Sequence, residues 1–407
     1  MYNFAINLYS LAANVVALFS KKVKTMLKGQ SECYEVLCSK IESGRHYLWF
    51  HAASLGEFEQ GRPLMERIRQ EYPSYGILLT FFSPSGYEVR KNYEGADVIC
   101  YLPFDKPKNV LKFLDLANPC MVFFIKYEFW KNYLDELHRR NIPTYSVSSI
   151  FRPEQAFFKS HGKDYAKVLH DFDHLFVQNE ESKNLLSGIG IDNVTVVGDT
   201  RFDRVLQIRQ QAKELPLVEA FKQDRLTFVA GSSWQPDEDL FIEYFNNHPE
   251  VKLVIAPHVI GEDHLQQIIS KLKGKVVRYT QATTENVIDA RCLIIDCFGL
   301  LSSIYRYGEI AYIGGGFGSG IHNTVEAAVY GVPVIFGPNH QRFMEANDLI
   351  ACGGAFSIND GNDLKELLDK LLSDKAFLLE SGNKAGTYVR SRAGATDIIL
   401  RYLKGLL

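Results

Sequence analysis

Short apolar runs rich in aromatic and β-branched residues recur along this chain. Each is followed by a polar turn and then by residues with helical spacing. Tyr47–Ala52, Tyr75–Thr80, Val98–Leu102, Met121–Lys126, Pro143–Ser148 and His174–Gln178 read as strands. Helices are expected through Arg69, around Tyr87–Tyr93 and over Phe129–Arg140. Runs that are apolar on both faces, alternating with helices, indicate a parallel sheet covered on both sides. The pattern restarts after a largely polar stretch, Ile208–Lys222, that Pro216 interrupts. Strands follow at Leu226–Ala230, Lys252–Ala256, Cys292–Ile295, Glu309–Ile313 and Pro333–Phe336. Helices are expected toward Asn247, over Glu262–Leu272 and Leu301–Tyr307, and then over Lys365–Leu372, Lys375–Arg390 and Thr396–Leu406. The fold class is therefore α/β, with two doubly wound, Rossmann-like units. They are expected to face each other across a cleft, with ligands at the carboxyl ends of the strands.

The expected organisation is an N-terminal helix over 1–28, a first unit over 29–205 and a linker over 206–222. A second unit over 223–390 follows, and then a C-terminal helix over 391–407 that packs back on the first unit. Residues 1–20 are apolar but interrupted by Asn7 and Asn14, and Lys21, Lys22, Lys24 and Lys28 follow. The stretch is marginal for a full span and has no cleavable-signal pattern. A helix with aromatic residues at its start and lysines at its end suits an anionic membrane surface, and membrane association is expected. The alternative is a helix buried on the first unit.

A length of 407 residues exceeds one ordinary core and fits two. A formal net charge of −3 gives no case for a nucleic-acid partner. The seven cysteines have no paired metal-ligand spacing and read as thiols in a reducing compartment. The eleven histidines are scattered, without HExxH, so no metal and no cofactor are expected.

The most informative stretch is Tyr312–Asn347. A strand runs into GGGFGSG, with five glycines in seven residues, then a short helix carrying Asn323 and Glu326, then a further strand. Glycines let the backbone approach a ligand closely, and N–H groups at a helix start can receive a phosphate. A plain tight turn is the other reading. The spacing matches neither the dinucleotide fingerprint nor an ATPase-type phosphate loop. In the first half, HAASLGEFEQG puts Glu57 at a helix start after a strand. There the helix dipole would keep it ionised, as a base that takes a proton from a sugar hydroxyl requires. An ordinary capping carboxylate fits the same spacing, Ser54 to Glu57. Lys126 ends another strand and Glu128 follows it, and Arg201 lies in VGDTRFD. Either cation could meet a phosphate or carboxylate, or be solvated. Ser232, Ser233 and His258 follow strands of the second half, on the edge that carries the glycine loop.

Taken in order, HAASLGE (51–57), TFFSPSG (80–86), YLPFD (101–105), KYEFW (126–130), GDTRFD (198–203), GSSWQPDE (231–238), APH (256–258) and the run from GGGFGSGIHN to FGP resemble the 3-deoxy-D-manno-octulosonic acid (Kdo) transferases of lipopolysaccharide assembly. The resemblance covers almost the whole chain. It implies a GT-B glycosyltransferase of the cytoplasmic face of the inner membrane that moves Kdo from CMP-Kdo to a lipid A precursor. The first unit would bind the acceptor and the second the donor. Glu57 would be the proton acceptor, and Glu128 and Arg201 would stabilise the transition state. Pro257, His258, Gly315, Gly316, Phe317, Asn323, Thr324, Val325 and Glu326 would hold the donor, with Ser232 and Ser233 as further contacts. Phospholipid of the inner membrane is an implied partner, and nucleic acid is not. The family pattern has asparagine and lysine where this chain has Asp199 and Arg201. It has arginine where this chain has His258, a side chain only partly charged near neutral pH. A UDP-sugar epimerase or transferase and a non-catalytic scaffold are the competing readings. One Kdo per acceptor is the expected extent of transfer.

Overall fold

The computed structural model describes residues 2–407 and divides into two compact units. One runs up to Arg204 and takes back Ala393–Leu407, and the other is Val205–Arg392. The first is built on a parallel sheet of seven strands: β1 (Tyr47–His51), β2 (Gly76–Phe81), β3 (Val98–Tyr101), β4 (Pro119–Ile125), β5 (Thr144–Ser149), β6 (His174–Val177) and β7 (Val194–Val196). Their order is β3-β2-β1-β4-β5-β6-β7. The interior strand β1 shows why the sheet is covered on both sides. Its side chains alternate, so Tyr47 and Trp49 join one core cluster and Leu48 and Phe50 the other. The first cluster takes Cys33 and Leu37 from α2 (Lys21–Lys40) and Phe113, Leu114, Tyr133 and Leu134 from two later helices. The second takes Phe58, Leu64, Met65 and Ile68 from α3 (Leu55–Glu71), and Ile399 and Leu403 from the last helix, Ala395–Leu403.

The second unit has β8 (Thr227–Ser233), β9 (Lys252–Pro257), β10 (Val276–Arg278), β11 (Cys292–Ile294), β12 (Ile310–Ile313), β13 (Val334–Phe336) and β14 (Ala355–Ser357), in the order β10-β11-β9-β8-β12-β13-β14. Every pairing is parallel. In both sheets the first strand lies inside and the order reverses beside it. This is the switch point at which doubly wound sheets open a crevice.

Several short elements did not stand out in the hydropathy pattern. The strands β7, β10 and β14 have three residues each, too few to show alternation. The segment expected as a linker, 206–222, is mostly helical. The helix Thr200–Gln210 covers its start, and Pro216–Lys222 forms a second helix that buries Val218 and Phe221. Pro216 opens that helix, where its missing N–H costs nothing. The lysines after Phe19 do not end the first helix. They begin α2, which Ser20 caps by accepting the N–H of Val23.

The N-terminal helix, α1 (Tyr2–Val16), lies on the first unit along one side only. The Tyr2 hydroxyl donates to Asp105 Oδ2 at 2.6 Å, Tyr9 packs edge-on against Phe104, and Ser10 and Ala13 are buried. Its other side and the turn beyond it leave Phe4, Leu8, Leu11, Val15, Leu18 and Phe19 exposed, the last at 88%. Among the described residues no helix is long and apolar enough to cross a membrane.

Candidate active site

In the first unit, the turns after β1 and β4 bring two carboxylates together. Glu57 occupies the third position of α3. There it reaches back to the helix cap, accepting from the Ser54 N–H at 2.9 Å and the Ser54 hydroxyl at 3.3 Å. Both bonds fall on Oε2, and among the described residues none falls on Oε1. Glu128 follows β4. Its Oε2 accepts from Trp130 Nε1 at 2.6 Å and lies 3.2 Å from His51 Nε2. His51 ends β1, fully buried, directly opposite Thr80 of β2. Lys126 begins the turn that carries Glu128, with a left-handed backbone, φ 69°. That conformation is uncommon for a lysine, and here it turns the chain sharply at a sheet edge.

The electrostatics correct one expectation. The helix start was expected to keep Glu57 ionised. Burial, followed by the neighbouring charge of Glu128, instead pushes its carboxyl up to about 7. The Ser54 hydrogen bonds and Lys126 oppose this without cancelling it. Two neighbouring carboxylates thus have different surroundings. Glu128 is held by donors, and burial pushes the proton affinity of Glu57 up.

Arg201 opens the helix Thr200–Gln210. Its Nε donates to Asp199 Oδ2 at 2.8 Å, and its backbone N–H donates to Asp199 Oδ1. Asp199 in turn accepts from Gln60 Nε2 at 3.1 Å, one helical turn beyond Glu57 on α3. The arginine fork is therefore aimed by a carboxylate that is itself tied to the helix of Glu57. The family asparagine could not do this with a charge.

In the second unit, the edge formed by β8, β9 and β12 carries the remaining candidates. Ser232 is left-handed, φ 52°, at the exit of β8. Gly314 lies so close to that exit that a Cβ would stand 2.3 Å from the Ser232 carbonyl oxygen. Gly316 is equally tight against Gly337, with 2.5 Å from its Cβ position to the Gly337 nitrogen. These two glycines are required by close backbone approach. Asp237 holds the loop in place. It is buried, and its Oδ2 accepts the N–H groups of Trp234 and Gly315 while Oδ1 accepts the Tyr312 hydroxyl. Phe317 packs against the core of the unit. Asn323 donates to Glu326 Oε1 at 2.8 Å and accepts the Val325 N–H. Thr324 is buried, and its hydroxyl has no hydrogen-bond partner among the described residues.

Pro257 ends β9, and His258 follows it within a stack of rings. Trp234 lies 4.5 Å from His258, and His258 lies 4.6 Å from His322. Trp234 Nε1 donates to His322 Nε2 at 3.3 Å. Burial and the facing His258 push the His322 imidazole down, toward its neutral form. Ser233 differs from its neighbours. It is fully buried, and its hydroxyl donates to Glu238, which His264 also contacts, so its place is under the edge.

Sequence reasoning missed His51, Thr80, Trp130, Asp237, Trp234 and His322 as site residues, although each stands inside a recognisable motif. The missing signal was strand register: nothing in HAASLGE or TFFSPSG says that His51 and Thr80 are neighbours.

Residues 27–204 match the family model of 3-deoxy-D-manno-octulosonic-acid transferase (kdotransferase). A 3-deoxy-D-manno-octulosonic acid transferase from Haemophilus influenzae is 24% identical over 373 residues, spanning 88% of this chain and 87% of that protein. One from Aquifex aeolicus is 27% identical over 339 residues, spanning 81% of this chain and 86% of that protein. In fold, the chain is similar to a UDP-GlcNAc 2-epimerase from Neisseria meningitidis solved with UDP-GlcNAc. The TM-score is 0.62 at 15% identity, over 88% of this chain and 100% of that one. Its two parallel-sheet units have the GT-B architecture, and its sequence is similar to these Kdo transferases over most of its length.

Proposed function

We propose that this protein transfers Kdo from CMP-Kdo to a hydroxyl of a lipid A precursor, with inversion at the anomeric carbon. The observation that carries the reading is Glu57, a half-buried carboxylate with one oxygen committed to its helix cap and its proton affinity raised to about 7. In this reading the acceptor hydroxyl attacks the anomeric carbon and gives its proton to Glu57 Oε1. CMP leaves toward the glycine loop, whose N–H groups offset the charge on its phosphate. Arg201 and Glu128 act on the charge that develops at the reacting carbon. Asn323 and Glu326 offer amide and carboxylate groups to ribose hydroxyls. No general acid is needed, because a cytidylate is a good leaving group.

The lipid acceptor fits a protein held at the cytoplasmic face of the inner membrane. The exposed apolar side of α1, with Phe19 and then Lys21, Lys22 and Lys24, has the composition of a surface that enters an anionic leaflet. Flotation with anionic liposomes checks this. A variant with Phe4, Leu11, Leu18 and Phe19 changed to serine is expected to stay at the bottom of the gradient, whereas the parent rises.

The fold likeness to a UDP-sugar epimerase favours one second reading, a UDP-sugar enzyme. Thermal shift separates the two, since a ligand stabilises by mass action only where the native state binds it. A rise in Tm with CMP and none with UDP is expected, and the reverse would favour the second reading. Mass spectrometry of the product from CMP-Kdo and a defined lipid A precursor tests the reaction itself. One added Kdo is expected, and two would mean that the site also accepts a Kdo-terminated lipid.

A further inference from the structure

The hydrogen bonds behind Glu128 run in one direction. An indole can only donate, and Trp49 Nε1 donates to Thr80 Oγ1 at 2.8 Å. The same oxygen lies 2.8 Å from His51 Nδ1. Thr80 has one hydrogen to give, and its other acceptor, the Phe50 carbonyl oxygen, stands at 3.5 Å, the outer limit of a hydrogen bond. Nδ1, at 2.8 Å, is the nearer of the two acceptors open to that hydrogen, and giving it to Nδ1 makes Nδ1 an acceptor. A ring proton carried on Nε2 then faces Glu128 Oε2. Trp130 donates to the same oxygen from the other side of the turn. Trp49, His51 and Thr80 are all fully buried, so bulk water does not compete for these bonds.

We propose that His51 is a positioning residue for sugar transfer: the Trp49–Thr80 chain fixes its Nε2–H tautomer, and that N–H holds the Glu128 side chain beside Glu57. The proposal rests on the reading of Glu57 as the base. Its consequence is a division of labour across three strands. Strand β2 supplies the hydroxyl that sets the tautomer, β1 supplies the ring, and the turn after β4 supplies the anion. The anion then raises the proton affinity of the base on α3. Charged and titratable groups face the pair from several elements. Glu57 faces Glu128 and Lys126, with Ser54 at its own helix cap. Glu128 faces His51, Glu57 and the Tyr165 phenol. Lys126 works against Glu128 by favouring ionised Glu57.

The test is the pH dependence of kcat/KM for transfer in Thr80→Val, Thr80→Ser and His51→Leu, with the thermal midpoint of each variant. Without the Thr80 hydroxyl, the ring is free to carry its proton on Nδ1. The Nε2 lone pair then meets the Glu128 carboxylate, Glu128 turns away, and Glu57 loses its neighbouring charge. The acid limb is expected to move down by about one pH unit in Thr80→Val and His51→Leu. The plateau is expected to fall by roughly tenfold or more as the base weakens. Thr80→Ser, which restores the hydroxyl, is expected to restore the limb. A purely structural role would lower the plateau and the thermal midpoint without moving the limb, and that outcome overturns the proposal. Nitrogen NMR of ring-labelled histidine gives a readout independent of activity. His51 is expected as the Nε2–H tautomer in the parent and as a mixture or Nδ1–H in Thr80→Val, and a parent ring with its proton on Nδ1 overturns the proposal. Failure of the base reading shows differently: Glu57→Gln would then transfer at near the parent rate, whatever the tautomer of His51.

Discussion

The two units use the same local device and put it to opposite ends. In each, the helix after the first strand carries a carboxylate that reaches back to the N–H at its own start: Glu57 to Ser54, and Asp237 to Trp234. Burial raises the proton affinity of both. The difference lies in what the rest of each carboxylate meets. Asp237 has both oxygens committed, to two backbone N–H groups and the Tyr312 hydroxyl, so it is a strut under the glycine loop. Glu57 has a single oxygen committed and a second carboxylate nearby, so its proton remains in play. A cap position is thus neither catalytic nor structural in itself. The side chains brought to it by neighbouring strands decide.

The largest effect that sharpens this contrast is expected from Glu57→Gln. The amide keeps the cap but cannot take a proton, and transfer should fall by roughly 10²–10⁴-fold with donor binding retained. Initial rates and a CMP thermal shift on the same preparation check both halves. Near-normal transfer would put Glu57 in the same class as Asp237. Asp237→Ala should act in the other way, on stability. It leaves the Gly315 N–H and the Tyr312 hydroxyl unpaired in a buried place, at a cost of about 2–4 kcal/mol. Urea unfolding of the second unit and loss of CMP binding report it.

The third test uses pH. Glu57 holds its proton more tightly in the folded protein, so between the ordinary glutamate range and about pH 7 the folded state carries more protons than the unfolded chain. Its contribution to stability therefore falls as pH rises through that window. Glu57→Gln should be more stable than the parent at pH 8, by roughly 1–3 kcal/mol, with the gap narrowing toward pH 4. Activity runs the opposite way: kcat/KM of the parent should drop as pH falls below about 7, because the base becomes protonated. Thermal melts and pH–rate profiles measured together show whether the residue that limits stability is the one that drives turnover.

The smallest effect is expected from Gly316→Ala. The added methyl meets the backbone of Gly337 at 2.5 Å and must push the loop aside. Donor affinity should weaken by about tenfold, some 1.4 kcal/mol, with little change in the pH profile. Calorimetry with CMP checks it, and a moved acid limb would contradict the separation of roles between the units.

How much of this was legible in the chain differs from part to part. MVFFIK and YLWFHA announce buried parallel strands because a strand covered on both faces needs apolar residues at every position. The strands β7, β10 and β14, and the helix within the expected linker, gave no such signal. Periodicity cannot be read over three positions, and the helix of 216–222 is stabilised by burying Val218 and Phe221. Glu57, Glu128, Arg201 and the glycine loop stood out because they follow strands in recognisable order. Their partners did not: Asp237 read as an ordinary charged residue, and Asp199 only as a departure from the family pattern, until the sheet edge closes around them.

The sequence by itself determined the α/β class, the doubled architecture and the residue types at the two edges, because local periodicity and loop chemistry are written along the chain. Only the tertiary structure decided that His51 stands opposite Thr80, that Glu128 lies beside Glu57, and that Glu57 is a carboxyl poised near neutrality instead of an ionised cap. Proton affinity depends on burial and on charges a few ångströms away, and those distances are set by strands that are 29 and 77 residues apart in the chain.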